Sequence, residues 1–393
     1  LNMPSGLSYQ QLMRVPFILR TIRRIHAPGA TLSNFYGLGI TPSRGVQVIT
    51  GRSGQYDIFD GTRSLAPFTA PGAPAVDINR KPVGTQPITV PRQYNKIGIE
   101  DEQIFGTRNL GQPYSQPVPS RGEQYWANQI RYLKTRMNNN QEFMTAHMFR
   151  GGWNLKPYAA GSSLLVLSDK ATVAGEITND TLVPTAHTGN IGGIIGTSWD
   201  DPSANLIDQL MALQAQAARV NGRRLTDIWV NGNTGKHLFT NSVIQAVGGS
   251  VYKIFDTLNL AKEIAPDQKF PDTGVTVVFR GLPDYRFHIY NQGYVSPGTS
   301  ESFSAQINAA NWKPFIPDNK AIITPPPGDW CEMVEGSEPM QWNLRQSGSE
   351  IVQGFGMGVE RAIDPPRSDV KMLYNGAPVI VEPYAVYFPT VIF

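Results

Sequence analysis

Apolar residues recur every three or four positions in some stretches and every second position in others, and the two periods divide the chain into helices and strands. Over residues 8–26, Leu12, Val15, Ile18, Leu19, Ile22 and Ile25 form one stripe. Pro16 falls early in it, where a helix tolerates proline best. Arg20, Arg23 and Arg24 add a basic patch, read either as the solvated face of a packed helix or as an arm reaching a neighbour, a scaffold or DNA. The longest pattern covers residues 120–150. There Trp126, Ile130, Leu133, Met137, Met144 and Met148 share a stripe, Ser120 and Glu123 have capping-box spacing, and Gly151 and Gly152 follow. At about 1.5 Å per residue this predicts a rod of roughly 45 Å, long beside a mean globular helix of about 12 residues. A further helix is expected from WDDPSANLIDQLMALQAQAARVNG, with Asp201 as cap, Pro202 in the first turn and Gly222 as the stop.

Between these helices the period changes to two. GVQVITGR and QYDIFDG alternate as strands do, and a proline-rich tract, SLAPFTAPGAPAVDINRKPVGTQPITVP, follows them. An isolated two-stranded arm is marginal in water, so this tract is expected to lie on something else, such as an adjacent subunit. Residues 155–199 are turn-rich with short strands, including SSLLVLSD. LTDIWVNG reads as a buried strand, KHLFTNSVIQAVGG as one short helix, and VTVVFRGLPDYRFHIY as a hairpin turning at Leu282-Pro283-Asp284. NKAIITPP and APVIVEPYAVYFPTVIF read as late strands. The predicted class is α+β.

Composition narrows the function. Of 393 residues 40% are apolar, enough for a core and against wholesale disorder. Charged residues are only 17%, against about 25% in an ordinary soluble domain, as expected of a surface largely covered by neighbours. The net charge of +3 is too small and too scattered for a dedicated nucleic-acid binder. Cys331 is the one cysteine, which excludes an intrachain disulfide framework. No run of about 18 apolar residues predicts a membrane span, and no signal-peptide pattern opens the chain.

The search for chemistry finds little. His26, His147, His187, His237 and His288 are far apart in sequence and make no zinc motif. NGNTGKH at 231–237 misses the first glycine and the final Ser/Thr of a phosphate loop. GFGMGVE at 354–360 has the wrong spacing for a dinucleotide fingerprint, so its glycines are expected at a bend or bulge. Asp200 and Asp201 are read as an acidic pair at a helix start, and the seven tryptophans as core or interface packing. No catalytic, cofactor-binding or metal-ligating residue is expected, and no cofactor.

Taken in order, the stretches YDIFDGTRSLAPFTAPGAPA, PITVPRQYNKIGIEDEQIFGTRNLGQ, RGEQYWANQIRYLKTRMNNNQEFMTAHMFRGGW, WDDPSANLIDQLMALQAQAARVNGRRLTDIWVNG and VERAIDPPRSDVKMLYNGAPVIVEPYAVYFPTVIF resemble the lambda-type coat proteins, major capsid protein E. These carry the Hong Kong 97-like capsid fold. The resemblance runs from about Val46 to Phe393 and rests on the ordered set, since no single motif is specific. The tract 164–196 and Pro325-Pro326-Pro327 have no clear counterpart. The resemblance implies an N-terminal arm (1–44), an extended β loop (45–110), a spine helix with a peripheral domain (111–199) and a mainly axial domain (200–330). Closing strands shared by the two domains (331–393) complete the chain. It implies a non-enzymatic major capsid protein of a tailed double-stranded DNA phage, assembled in the bacterial cytoplasm into an icosahedral virion shell. The implied partners are further copies in hexamers and pentamers, scaffolding, portal and decoration proteins, and packaged double-stranded DNA bound non-specifically, with no membrane. Two other readings are a nanocompartment shell of the same fold and an extracellular β-rich carbohydrate-active protein.

Overall fold

The computed structural model describes residues 31–59 (except 41 and 44), 83–100, 118–156, 166–169, 177–180, 183–248, 261–263, 274–279, 282–295 (except 283), 308, 311–340, 350–363 and 366–393. The helix expected over 8–26 lies outside them. In chain order come α1 (Thr31–Phe35), β1 (Val46–Thr50), β2 (Ser53–Phe59), β3 (Val83–Thr89), β4 (Arg92–Glu100) and α2 (Val118–Met148). Then follow β5 (Gly152–Lys156), β6 (Val166–Asp169), β7 (Ile177–Asp180), β8 (Thr188–Gly189), α3 (Leu206–Val220), β9 (Asp227–Val230), α4 (Gly232–Thr240) and α5 (Ser242–Gly248). The rest are strands: β10 (Ala261–Glu263), β11 (Gly274–Phe279), β12 (Arg286–Tyr290), β13 (Gly293–Val295), β14 (Trp312–Pro314), β15 (Ala321–Thr324), β16 (Cys331–Met340), β17 (Glu350–Gln353), β18 (Phe355–Ile363), β19 (Pro366–Ile380) and β20 (Phe388–Pro389).

Two sheets organise the described residues. In the first, β1 runs parallel to β16, β16 pairs antiparallel with β17 and β19, and β19 continues between β18 and β4. The second has the order β10-β11-β12-β9-β15 and is antiparallel except where β12 meets β9. All four residues of β9 are buried because both faces of this sheet are covered. Ile228 and Val230 pack with Leu206, Leu210, Leu213 and Ala217 of α3, and Trp229 packs on the other face with Phe149, Tyr290 and Trp330.

The long helix joins the two regions. Its first half lays Ile130, Leu133 and Met137 against Val370, Met372 and Tyr374 of β19, the one-sided burial that its stripe predicts. Its second half is buried on every side: each residue from Gln141 to Phe149 is inaccessible. Gly151 and Gly152, at φ 101° and 121°, end it in a conformation that costs glycine little. Among the described residues no helix is long and apolar enough to cross a membrane.

Several expectations need correction. Helix α2 begins at Val118, so Ser120 lies in its first turn and is not its cap. Helix α3 begins at Leu206, and its cap is Asn205, whose Oδ1 accepts from the Asp208 N–H at 3.2 Å. Asp201 is committed elsewhere: its Oδ1 accepts from Ser203 N and Oγ at 2.8 and 2.7 Å. Asp200 and Asp201 therefore precede the helix as a turn. The helix expected from KHLFTNSVIQAVGG starts earlier, at Gly232, and is broken at Asn241. There Asn241 Oδ1 accepts from Val243 N and Ile244 N and its Nδ2 donates to Ala204 O. Within APVIVEPYAVYFPTVIF the strand stops at Ile380, Pro383 opens a short 3-10 turn, and β pairing returns at residues 387–390, where Phe388 and Pro389 are flanked by single bridges from Tyr387 to Ile323 and from Thr390 to Lys320.

The foot of the proline-rich excursion belongs to the core. β2 and β3 pair antiparallel from Ser53↔Thr89 to Phe59↔Val83. Tyr56, Ile58, Ile88 and Val90 are buried among Phe149, Trp330 and Val381. The expectation that this whole tract leans on an adjacent subunit is therefore corrected for residues 83–91. Residues 60–82 lie outside the described ones.

Candidate functional site

The five-stranded sheet assembles a polar group that no local spacing announces. Asp227 on β9 is fully buried. Its Oδ2 meets Arg286 Nη2 at 2.7 Å and accepts from Thr226 Oγ1 at 2.7 Å, while Oδ1 meets His288 Nε2 at 2.9 Å. His288 Nδ1 lies 2.8 Å from Thr276 Oγ1. Burial, opposed by Asp227, holds the His288 pKa below the usual histidine value. The neutral ring therefore donates from Nε2 to Asp227 and accepts the Thr276 hydroxyl proton at Nδ1.

This connectivity is that of a nucleophile–base–acid relay, but its surroundings are those of a joint. The imidazole is stacked on Trp229 at 4.3 Å and 20°, and the Phe35 ring stands edge-on to it at 4.9 Å. Tyr36 extends the same layer: its hydroxyl receives Trp229 Nε1–H at 3.0 Å and lies 2.6 Å from Thr324 Oγ1. No open face is left at the ring for a reacting molecule. The group instead ties α1 to strands β9, β11, β12 and β15.

The depressed His288 pKa gives a test. The unfolded histidine binds a proton near pH 6.5 and the folded one only lower, so stability from this site is present above about 6.5 and declines as pH falls toward the folded pKa. Thermal unfolding of the His288→Gln variant is expected to show a shallower loss between pH 6.5 and 5 than the parent. Parallel pH profiles for the two would remove His288 from the acid limb.

A second buried joint centres on Glu142, in the fully enclosed half of α2. Its Oε1 accepts from Leu32 N at 2.6 Å and from the Tyr290 hydroxyl at 2.5 Å, and its Oε2 accepts from Ser33 N at 2.9 Å. Burial raises its pKa against the pull of these donors. Gln141 beside it donates to Leu38 O at 2.8 Å. One turn of a long helix thus holds the first turn of α1 and the chain just after it, and touches β12.

Two further histidines, His147 and His187, are also structural. His147 Nδ1 lies 3.1 Å from Phe143 O and its ring stacks on Phe143. His187 Nδ1 lies 3.0 Å from Val386 O, with Tyr387 stacked at 4.0 Å. His26 lies outside the described residues. Cys331 is a buried thiol whose Sγ lies 3.9 Å from Gly328 O. In the NGNTGKH stretch Asn231 caps α4 by accepting from Thr234 N, and Asn291 Oδ1 occupies Gly232 N–H, so the amides a phosphate would need are taken. Gly354, at φ 60°, opens the bend between β17 and β18, and a Cβ there would stand 2.4 Å from the Glu335 carboxyl carbon. Among the described residues no group of three or more His, Cys, Asp or Glu is placed to hold a metal.

Two exposed apolar features lie on the surface. A groove of about 340 Å³ runs beside α3, lined by Met211, Ala215, Ala218, Leu225 and Tyr285, with the Arg224–Asp284 ion pair at its rim. Met211 is 62% exposed there. On the first sheet Ile351 is 74% exposed, opposite Pro339.

Known proteins resemble the chain in sequence pattern and in structure. A family model described as phage major capsid protein E matches residues 38–332. A protein described as the capsid protein of an E. coli CFT073 prophage is similar in structure at 13% identity and a TM-score of 0.51, over 79% of each chain. A phage-related protein from Bordetella bronchiseptica RB50 is similar at 10% identity and a TM-score of 0.48, over 95% of each chain. The capsid of cyanophage P-SCSP1u is similar at 12% identity and a TM-score of 0.40, over 88% of this chain and 86% of that one. No curated protein matches the chain in sequence.

Proposed function

The chain belongs to the phage major capsid protein E family, and from that premise we propose how its parts serve a shell. It is a phage coat protein of Hong Kong 97-like α+β fold, a structural protein of the virion capsid and not an enzyme. The finer reading is ours. The phage is tailed and carries double-stranded DNA. The subunit forms hexamers and pentamers in the bacterial cytoplasm, with scaffolding, portal and decoration proteins as partners and the genome held non-specifically.

The single observation that carries this reading is the division of labour along α2. Half of the helix stiffens the β4–β19–β18 ribbon, and half is locked into the core beside the five-stranded sheet. A subunit that must transmit contacts across a wide, thin shell needs such a frame, and a monomeric enzyme does not. We assign the first sheet with α2 to the peripheral domain and the second sheet with α3–α5 to the axial domain. The apolar groove on α3 supports a head-to-tail contact of the kind that closes into rings. Negative-stain microscopy with light scattering on the purified chain tests the reading. Closed particles or rings are expected, and a monomer persisting at high concentration would refute it.

The excursion between β2 and β3 is assigned to contacts between subunits. Phe59 and Val83 are register partners, so their Cα atoms are about 5 Å apart and a short Gly-Asn turn can join them. Replacing residues 60–82 by such a turn is expected to leave the circular dichroism spectrum and unfolding midpoint near those of the parent while particles disappear. A cut extended to residue 92 would remove Ile88 and Val90 from the core and unfold the subunit instead. Shells of normal yield from the shorter cut would count against the assignment.

A further inference from the structure

Phe35, the last residue of α1, closes the socket in which His288 sits. Its ring stands edge-on to the imidazole at 4.9 Å and to Trp229 at 5.1 Å, and the Arg286 guanidinium lies 5.7 Å from its centroid. Trp229 covers a face of the imidazole, and both ring nitrogens are engaged, Nε2 with Asp227 and Nδ1 with Thr276. Helix α1, TLSNF, brings no charged residue to the socket. With His288 neutral, the charges beside it are Asp227 and Arg286, which meet each other at 2.7 Å and balance. The neighbouring Tyr36 stays a neutral phenol, because burial pushes its pKa well above the usual tyrosine value and Asp227 pushes it the same way.

A proton on His288 disturbs this closed arrangement twice. Nδ1 stops accepting the Thr276 hydroxyl proton and becomes a donor, so the hydroxyl must turn. The socket also gains one positive charge in excess, beside Arg286 and behind a phenyl ring that keeps water out, and an uncompensated buried charge is costly. That cost vanishes when Phe35 swings away and water reaches the imidazolium.

We infer that α1 is a latch opened by acid: its docking on the five-stranded sheet and a proton on His288 exclude one another. Opening frees Thr31–Phe35, where residues 1–30 join the described fold, and leaves the sheet in place. Burial holds the docked histidine below its ordinary pKa. The docked state is therefore fully favoured above about pH 6.5, and the open state gains as pH falls toward the docked value. Glu142 grips Leu32 N and Ser33 N from the other side with the opposite sign. Burial raises its pKa, so docking takes up a proton there and acid strengthens that grip. The histidine's share is the difference between two chains that both keep Glu142.

Two measurements on the full-length chain test the latch. Hydrogen exchange at the histidine C2 position, read by mass spectrometry, gives the pKa of His288 in the parent and in Phe35→Ala. Phe35 is only partly buried, so its truncation leaves the cores of both sheets intact. Linkage is reciprocal, and removing the ring is expected to raise the His288 pKa toward about 6.5. An unchanged value overturns the inference. Amide exchange, corrected for the intrinsic rate at each pH, then follows Tyr36 and Leu38, whose amides bond to Leu32 O and Ser33 O, with Ile228 and Phe287 as sheet references. One proton taken up on opening is expected to lower protection at Tyr36 and Leu38 by up to about tenfold per pH unit below 6.5, relative to His288→Gln, whose side chain does not titrate. The same pH profile in parent and His288→Gln overturns the latch. So does a loss of protection that Ile228 and Phe287 share, which would make the opening global.

Discussion

Leu133→Pro is expected to abolish soluble, assembly-competent subunit, while Asn139→Ala is expected to assemble as the parent does. Leu133 is 5% exposed and packs with Ile130, Met137, Val370 and Met372. Proline at this position removes a backbone hydrogen bond and clashes with the preceding turn, at a cost of about 3 kcal/mol or more. Loss of the buried leucine adds about 2–5 kcal/mol. Together these approach the whole stability of a domain, about 5–15 kcal/mol. The damage also falls midway along the element that joins the two sheets, so no part of the subunit is insulated from it. Asn139 is only partly buried, and alanine is the better helix former by several tenths of a kcal/mol. Yield in the soluble fraction and particle counts by microscopy check both outcomes. Equal assembly of the two variants would mean that α2 is not a continuous frame.

Much of this framework is legible in sequence, and the limits have physical causes. The strands β9, β11, β12 and β15 announce themselves through short apolar runs flanked by turn residues, because their burial is decided locally. The stripe of α2 identifies Ile130, Leu133 and Met137 correctly because the first half of the helix buries one face. Over residues 141–149 it places Met144 and Met148 in the core correctly but misses Gln141, Glu142 and Thr145, which look like a solvated side and are wholly buried. The partners of Gln141 and Glu142 are a hundred or more positions away: Gln141 donates to Leu38 O at a separation of 103, and Glu142 binds Leu32 and Ser33 at separations of 110 and 109 and Tyr290 at 148. The Thr276–His288–Asp227 group was invisible for the same reason, being created by the register of three neighbouring strands. Cap chemistry misled at α3. Pro202 pointed to Asp201 as the cap, but Asp201 spends its carboxylate on Ser203, and Asn205 caps the helix instead.

Glu142→Ala is expected to destabilise the subunit by about 3 kcal/mol and to free the α1 segment before the sheets unfold. The substitution leaves the amides of Leu32 and Ser33 and the hydroxyl of Tyr290 without their acceptor. An unpaired buried donor costs about 1–3 kcal/mol, and relief of the carboxylate's own desolvation offsets part of the sum. Glu142→Gln should be milder, since its amide oxygen still accepts, but its NH2 group must face one of the three donors. The glutamine variant also isolates a pH effect. Burial raises the Glu142 pKa in the folded subunit, so between the ordinary glutamate value of about 4.3 and the folded value the native state holds a proton that the unfolded chain has lost. The carboxyl's contribution is therefore fully present below that window and falls as pH rises through the folded pKa. The stability of the parent minus that of Glu142→Gln is expected to decrease with rising pH across the window and then level off. Chemical denaturation at a series of pH values measures this difference, and hydrogen exchange at Leu32 and Ser33 reports release of α1. A difference that is flat with pH, or protection at those amides that survives Glu142→Ala, would show that the carboxylate is not what holds α1 to the helix.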